Sequence, residues 1–308
     1  TPSSEPASAG SRAVNGKYLM SFSSCETMAT ECDNPQNHEV YLAQSDDGTS
    51  WSLVPGWEVY PGSVPDVIRR DNTLYVYDRQ FVTRYDLATN TQDTHRRGHG
   101  NVDQSKRVIV DGLGGDGYVD PSLIIDGQGR LVLFFMHGRI GGDPARCEPS
   151  QATCEKHFGS ATEVEGSDGK RFILDEGERL VVTIGIGKDM IAADPDIFFD
   201  GDQYVIYISH GTKISVWTSP DLRGSFARIG NLSEGQAGVP SGFFHAESGQ
   251  YWTYGHSRQG DVVVIKHAIH MELDRTLPAD EWSVVVSASA LGLSLTRDTG
   301  SPGFAVNE

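Results

Sequence analysis

The stretch "YVDPSLIIDGQGRLVLFFMHG" (Tyr118–Gly138) decides the fold, because its layout recurs along the chain. A polar or small lead-in precedes a proline, an apolar strand and a turn of polar residues and glycine, and an aromatic-rich strand follows. Proline cannot donate a ladder hydrogen bond, so it marks a strand start here and not a strand interior. Three further copies have the same order, and they span Ser63–Asp78, Ala192–Gly211 and Ala237–Ser257.

A fifth copy is divided between the two ends of the chain. The C-terminal "GSPGFAVNE" supplies the proline strand, and the N-terminal "VNGKYLMSFSS" supplies the turn and the second strand. Most copies carry a third strand and a polar turn before a fourth strand. This pattern predicts an all-β fold, a five-bladed β-propeller closed by pairing of the N- and C-terminal segments, which leaves no strand edge open. Two β-sandwiches are the alternative, but they give no reason for the split copy.

The ring also sets the expected domain organisation. We expect one domain over residues 14–308, because a propeller cannot be cut between blades without exposing strand edges. The Ser-, Pro- and Ala-rich residues 1–13 are expected to form a flexible leader, as would remain after removal of a signal or anchor.

Composition narrows the classes of partner. The net charge is −17 over 308 residues. This charge argues against nucleic acid as a partner, because a protein that binds a polyanion requires a basic surface. The chain has no run of about 18 apolar residues, so no membrane span is expected.

The four cysteines form two pairs with identical spacing, Cys25 with Cys32 and Cys147 with Cys154. Each pair can close a small local loop. Zinc ligation is the competing interpretation, although the spacing exceeds the usual two to four intervening residues. Two local disulfides are favoured, and they indicate an oxidising compartment, so the protein is expected to be secreted, periplasmic or on the cell surface.

In a propeller the first strand of each blade lines the central channel, so the residue before each repeated proline should lie near one mouth of that channel. Around the ring these residues are Val64, Asp120, Asp194, Val239 and Ser301. The second strand returns to the same mouth, and in four blades it ends at Asp78, His137, His210 and His256. Carboxylates from two adjacent blades and imidazoles from three blades therefore predict a functional cluster, although a duplicated structural histidine would leave the same pattern.

Two further residue types could contribute to substrate binding. Arg139 and Arg258 follow two of those histidines and could bind an anionic substrate, or they could be ordinary surface arginines. Trp252 could supply a sugar-stacking surface, although aromatic residues on blade strands also pack between sheets.

The five-bladed layout, "VDPSLIIDGQGRLVLFF" and "ISVWTSPDLRGSF" together resemble the glycoside hydrolase superfamily of arabinanases, β-xylosidases, levansucrases and invertases. The resemblance implies three carboxylates at one mouth: a base or nucleophile, a general acid and a supporting aspartate. Asp120 resembles the supporting aspartate. Asp194 falls at the position expected for the general acid, which is usually glutamate. The position expected for the base holds Ser301, and blade 2 has Val64 there with Asp66 two residues later.

Our first functional hypothesis is an exported glycoside hydrolase that binds an oligo- or polysaccharide in the central funnel. Asp194 or His210 would donate the proton, Asp120 would orient the donor, and Asp66 or Asp78 would activate water. A non-catalytic, lectin-like propeller is the second hypothesis. The third is a metal-dependent enzyme that uses His137, His210 and His256. The resemblance also implies a divalent ion such as calcium in the central channel.

Overall fold

The computed structural model describes residues 13–27, 32–97, 100–114, 117–137, 153–185 and 191–307. These residues form five β-sheets arranged in a ring, and helical structure is confined to three short 3₁₀ turns at Pro35–Asn37, Gln104–Lys106 and Ala279–Glu281. The predicted five-bladed β-propeller is confirmed. No helix in the described part of the chain is long and apolar enough to cross a membrane.

Blades 1 and 2 contain the first eight strands. In chain order the strands of blade 1 are β1 (Tyr18–Glu26), β2 (Glu39–Ser45), β3 (Ser52–Leu53) and β4 (Tyr60–Pro61). Those of blade 2 are β5 (Asp66–Arg70), β6 (Thr73–Asp78), β7 (Phe81–Asp86) and β8 (Thr91–Asp93).

Blade 3 is larger than the four strands expected. Its six strands are β9 (Ile109–Asp111), β10 (Tyr118–Ile125), β11 (Leu131–His137), β12 (Thr153–Glu163), β13 (Arg171–Leu174) and β14 (Leu180–Gly185). Both additional strands, β9 and β14, lie on the outer side of the blade, where β9 pairs with β13 and β14 pairs with β12. The inner hairpin of β10 and β11 keeps the layout of the other blades.

Blades 4 and 5 each have four antiparallel strands. Those of blade 4 are β15 (Ala193–Phe199), β16 (Tyr204–Ser209), β17 (Lys213–Ser219) and β18 (Ala227–Glu234). Those of blade 5 are β19 (Gly238–His245), β20 (Gln250–Gln259), β21 (Val262–His270) and β22 (Ser283–Val286).

The last strand, β23 (Arg297–Val306), completes blade 1 by pairing with β1. The antiparallel register runs from Tyr18 opposite Val306 to Glu26 opposite Arg297. The inner strands β23, β5, β10, β15 and β19 contact one another in that order, and β19 contacts β23 again. The split fifth repeat therefore closes the ring, as the sequence predicts.

The residue before each repeated proline has an unusual backbone conformation in all five blades. Its φ lies between 44° and 54° at Val64, Asp120, Asp194, Val239 and Ser301. This left-handed region is uncommon for residues other than glycine and is an outlier for a β-branched residue such as valine. In four of the five inner hairpins the strand register also shifts at this point. The proline repeat thus specifies a β-bulge in four of the five inner hairpins.

Apolar side chains fill the space between neighbouring blades, and five separate clusters correspond to the five interfaces. Phe134, Phe158 and Ile197 belong to the cluster between blades 3 and 4. Tyr18 and Trp252 belong to the cluster between blades 5 and 1. Packing between sheets therefore supplies the core, while the inner strands leave a channel along the ring axis.

Gly303 lets blade 1 approach blade 2 closely at the ring closure. A Cβ at this position would lie 2.7 Å from the Asp66 Cα and 2.7 Å from the Pro65 carbonyl oxygen. We expect Gly303→Ala to lower the free energy of unfolding by roughly 1–3 kcal/mol, because the backbone must shift to admit the methyl group. Urea unfolding measures this loss. Gly127→Ala is the matched control because its Cβ would meet open space, and equal stability of the two variants would contradict the close-approach argument.

Candidate functional site

The structure brings Asp120 and Asp194 together at one mouth of the channel. Both follow the start of an inner strand on adjacent blades, and both are partly exposed. The backbone N–H of Asp194 donates to Oδ2 of Asp120 over 3.3 Å. Both residues have the left-handed backbone that precedes each repeated proline.

Asp194 has a strong tendency to keep its proton. Burial raises the pKa of Asp194 well above its ordinary value, and the negative charge of Asp120 raises that pKa further. A carboxyl that keeps its proton beside a second carboxylate is the arrangement that a general acid requires. The pair can therefore hold and deliver one proton at the channel mouth.

The remaining three mouth positions carry no carboxylate. Val64 and Val239 are partly exposed, whereas Ser301 is buried. Among the residues that precede the repeated prolines, carboxylates therefore occur only on blades 3 and 4.

The ends of the second strands do return to this mouth, but their side chains have different surroundings. His210 has both ring nitrogens engaged, with Nδ1 3.0 Å from the Ile191 carbonyl oxygen and Nε2 2.9 Å from Ser215 Oγ. His137 lies opposite Tyr118 in the strand register and is partly exposed. Its Nε2 atom is buried without a hydrogen-bond partner in the described part of the chain.

Asp78, at the end of the second strand of blade 2, is closed off from the mouth. Its side chain is 0% exposed, and neither carboxylate oxygen has a hydrogen-bond partner among the described residues. The nearest charged groups are Arg79, with Nε 3.6 Å from Oδ2, and His95, with Nδ1 3.5 Å from Oδ1. Burial raises the pKa of Asp78 to about 7 although Arg79 opposes that shift.

A second ring of residues lies one step deeper in the channel, directly after each proline. Four of its members are polar, Asp66, Ser122, Asp196 and Ser241, and the fifth is Gly303. Asp66 Oδ2 accepts the backbone N–H of Leu123 on the next blade over 2.7 Å. Ser122 Oγ accepts the backbone N–H of Ile197 on the following blade over 3.1 Å. These bonds link neighbouring blades, so Asp66 lies in the channel wall and not at the open mouth.

Asp196 continues this ring and interacts with Asp66 across the channel. Its Oδ2 accepts the backbone N–H of Gly242 over 2.7 Å. Burial raises the pKa of Asp196 well above its ordinary value, and the charge of Asp66 adds to that shift. Burial likewise raises the pKa of Asp66 to about 7 against the hydrogen bonds that it accepts. Both aspartates line a cavity of about 520 Å³ that forms the central channel.

A smaller cavity of about 250 Å³ opens on the other side of the mouth, between blades 5 and 1. Its lining includes His256, Arg258, Ser301, Asp298 and His38. His256 and Arg258 were expected at the mouth, and Ser301 occupies the position that the superfamily resemblance reserves for the base. The two polar regions of the mouth are thus the Asp120–Asp194 pair and this cavity.

Other predicted residues lie elsewhere. Trp252 packs between blades 5 and 1 and is 8% exposed, with its ring stacked 4.8 Å from that of His245. It lies toward the other end of the β19–β20 hairpin from His256.

Arg139 and Cys147 lie outside the described residues. The predicted pairing of Cys25 with Cys32 is present, with a Cα–Cα distance of 5.7 Å.

The described residues contain no group of three or more histidine, cysteine, aspartate or glutamate side chains that could hold a metal ion. His137, His210 and His256 come from separate blades, and His210 has its ring nitrogens committed to local partners. Metal binding by these histidines, like calcium in the channel, stays a prediction.

Sequence reasoning did not single out Asp196 or His38, and it did not place His95 beside Asp78. A signal for Asp196 was available, because a short polar residue follows the repeated proline in four of the five copies. His95 and His38 lie in irregular segments outside the repeat, so only the fold brings them beside Asp78 and the smaller cavity.

No family model and no curated protein matches the sequence. Among solved structures, an endo-1,4-beta-xylanase from Bacteroides thetaiotaomicron is similar over 81% of this chain and 90% of its own, at 12% identity and a TM-score of 0.49. An exo-1,5-alpha-L-arabinanase from a bovine ruminal metagenomic library is similar over 90% of this chain and 95% of its own, at 14% identity and a TM-score of 0.45. A thermostable family-43 glycoside hydrolase covers 81% of this chain and 89% of its own, at 12% identity and a TM-score of 0.47. The strand pairing of the chain itself defines the fold.

Proposed function

We propose that this chain is an exported glycoside hydrolase that cleaves an oligo- or polysaccharide bound at the channel mouth. The observation that carries the proposal is the Asp120–Asp194 pair, in which one carboxyl keeps a proton beside another. Hydrolysis of a glycosidic bond requires a proton donor for the leaving oxygen and a second group that acts on the anomeric carbon or on water.

In this proposal Asp194 is the general acid, and Asp120 orients it and raises its pKa. The backbone N–H of Asp194 donates to Asp120, and this hydrogen bond keeps the two residues in place while the proton is delivered. Asp120 keeps the role that the superfamily resemblance implies. His210 is the weaker candidate for the acid because its two ring nitrogens contact Ile191 and Ser215.

Export is the second part of the proposal. The Cys25–Cys32 disulfide supports it, because disulfides form and persist mainly in oxidising compartments. The net charge of −17 is consistent with a saccharide partner and not a polyanion. Fractionation of the native host, with the protein detected by antibody, tests the location directly.

A non-catalytic, lectin-like propeller is a second candidate, and a specific observation favours it. The mouth position expected for the base is Ser301, which is buried and has no carboxylate. A propeller with this substitution could retain the funnel and bind a saccharide without cleaving it.

One experiment separates the two candidates. The purified protein is incubated with arabinobiose, xylobiose and sucrose, and with a glycan array, and products are followed by chromatography. Release of monosaccharide supports the hydrolase. Retention of an array sugar that is recovered unchanged, with no cleavage of any probe, supports the lectin and contradicts the hydrolase.

The metal-dependent hypothesis has its own test. Elemental analysis of the purified protein, with and without His210→Ala, measures any bound divalent ion. A stoichiometric ion that is lost from the variant would support a site at the histidines, and an ion-free wild-type protein would contradict it.

A further inference from the structure

We infer that His256 is the general base of this site and activates the attacking water in place of the carboxylate that Ser301 does not supply. The inference rests on the proposed hydrolase function and extends it to a residue on blade 5. It depends on the position of His256, on its lack of hydrogen-bond partners among the described residues and on the cavity that it faces.

His256 lies at the mouth end of β20, where it is opposite Gly238 in the strand register. It lines the cavity of about 250 Å³ together with Ser301. Gly300 leaves room for its ring, because a Cβ at that position would lie 3.0 Å from His256 Nδ1. The imidazole therefore lies next to Ser301, in the cavity between blades 5 and 1.

The ring nitrogens of His256 make no hydrogen bond with any described residue. The other histidine in this cavity is different. His38 has Nδ1 2.8 Å from Ser63 Oγ and Nε2 2.7 Å from the Cys32 carbonyl oxygen. His38 is thus held by the fold, whereas His256 has both nitrogens available to a water molecule in the cavity.

The surroundings of His256 keep it unprotonated at neutral pH. Burial lowers its pKa to about 4, and the positive charges of His38 and Arg258 lower that pKa further. Asp298 and Asp33 also line the cavity and face the same space. A neutral imidazole with this basicity is comparable to the carboxylate that normally serves as the base, since an ordinary aspartate has a pKa of about 3.9.

The proposed step balances in protons and electrons. One ring nitrogen of His256 takes a proton from water while the water oxygen bonds to the anomeric carbon. The bond from that carbon to the glycosidic oxygen breaks, and Asp194 gives its proton to the leaving oxygen. The products are two sugars with free hydroxyl groups, and the imidazolium and the Asp194 carboxylate then exchange one proton through solvent. Direct attack by water inverts the anomeric configuration.

The test compares His256→Gln with His245→Gln on the disaccharide that the wild-type protein cleaves. His245 is the matched control because it lies in the same hairpin but at its turn end, opposite Gln250, whereas His256 is opposite Gly238 at the mouth end. We expect His256→Gln to lose roughly 10²–10⁴-fold in kcat, as removal of a general base does, while His245→Gln retains wild-type turnover. Circular dichroism and thermal unfolding of each variant check that the fold is kept.

Chemical rescue gives a readout that a merely structural role would not move. His256→Gly leaves additional space in the cavity, and added imidazole is expected to restore part of the turnover in a concentration-dependent way. Proton NMR of the fresh product is expected to show inversion.

Three results would overturn the assignment: full turnover by His256→Gln, no rescue of a folded and inactive His256→Gly, or retention of configuration. Different results would contradict the proposed function itself: a wild-type protein that cleaves none of the probes, or full turnover by Asp194→Asn. Loss of activity in Asp194→Asn with full activity in His256→Gln would reject only the base.

Discussion

Asp194→Asn is expected to lower kcat for a disaccharide by roughly 10³-fold, within the range of 10²–10⁴ typical of a general acid. Asparagine has nearly the same shape as aspartic acid but has no acidic proton to give to the leaving oxygen. The backbone N–H that donates to Asp120 is unchanged by the substitution, so the geometry of the mouth should persist. Steady-state kinetics on the cleaved disaccharide measure the loss.

The identity of the leaving group distinguishes an acid from a structural residue. Nitrophenolate departs without protonation, so Asp194→Asn should lose much less activity on a nitrophenyl glycoside than on the disaccharide. Asp202→Asn, on the exposed turn of the same blade, is the matched control and should retain both activities. Equal losses on both substrates would contradict the acid role, and full activity on both would remove Asp194 from the mechanism.

The pH profile provides a second check on Asp194. Burial and the charge of Asp120 raise its pKa, so the protonated form should persist above the pH at which ordinary aspartates ionise. Activity should therefore fall on the alkaline side as Asp194 loses its proton. In Asp194→Asn that alkaline limb should disappear from the residual activity on the nitrophenyl glycoside.

The fold could be predicted from the sequence because each repeated proline marks the start of a strand. Pro121 and its equivalents lack a donor, which places them at a strand start, and the split copy required the two ends to pair. The juxtaposition of Asp120 and Asp194 follows from the same alignment, since equivalent positions on adjacent blades meet at one mouth. The repeat could not reveal the left-handed backbone at these positions. Valine and aspartate both occur there, and neither residue type indicates a left-handed backbone.

The repeat pattern could not predict which side chains are buried or which residues they contact. Asp78, His210 and His256 occupy equivalent places on their strands, but their environments differ. Asp78 is buried in the interior. His210 contacts Ile191 and Ser215, and His256 faces a cavity. These differences arise from side chains contributed by other blades and by irregular segments. Single-sequence periodicity contains no information about such contacts, which is why Asp66 and Asp78 were predicted at the open mouth.

Asp78→Asn is expected to stabilise the protein at pH 8 and to have little effect near pH 4. Both oxygens of Asp78 are buried without a hydrogen-bond partner among the described residues, and burial raises its pKa from 3.8 to about 7. Because the folded-state pKa is raised, the stability associated with the protonated carboxyl is fully present below the ordinary pKa. That stability is lost as the pH rises through about 7.

The size of the effect follows from the shift. Each pKa unit corresponds to about 1.4 kcal/mol, so the free energy of unfolding of Asp78→Asn should exceed that of the wild type at pH 8 by up to about 4 kcal/mol. Urea unfolding at pH 4.5 and at pH 8, followed by tryptophan fluorescence, measures the two differences. The positive charge of Arg79, 3.6 Å away, offsets part of the cost and is retained in the variant.

Asp86→Asn is a control with the opposite sign. Asp86 is the exposed last residue of β7, and hydrogen bonds from the backbone of Thr89 and Ala88 lower its pKa. Its contribution to stability is present above the ordinary carboxyl pKa and is lost as the pH falls, so Asp86→Asn should destabilise the protein at pH 8. If Asp78→Asn instead lowers stability at pH 8, the buried carboxylate must be stabilised by partners within the cluster around His95. Desolvation would then not dominate the energetics of Asp78.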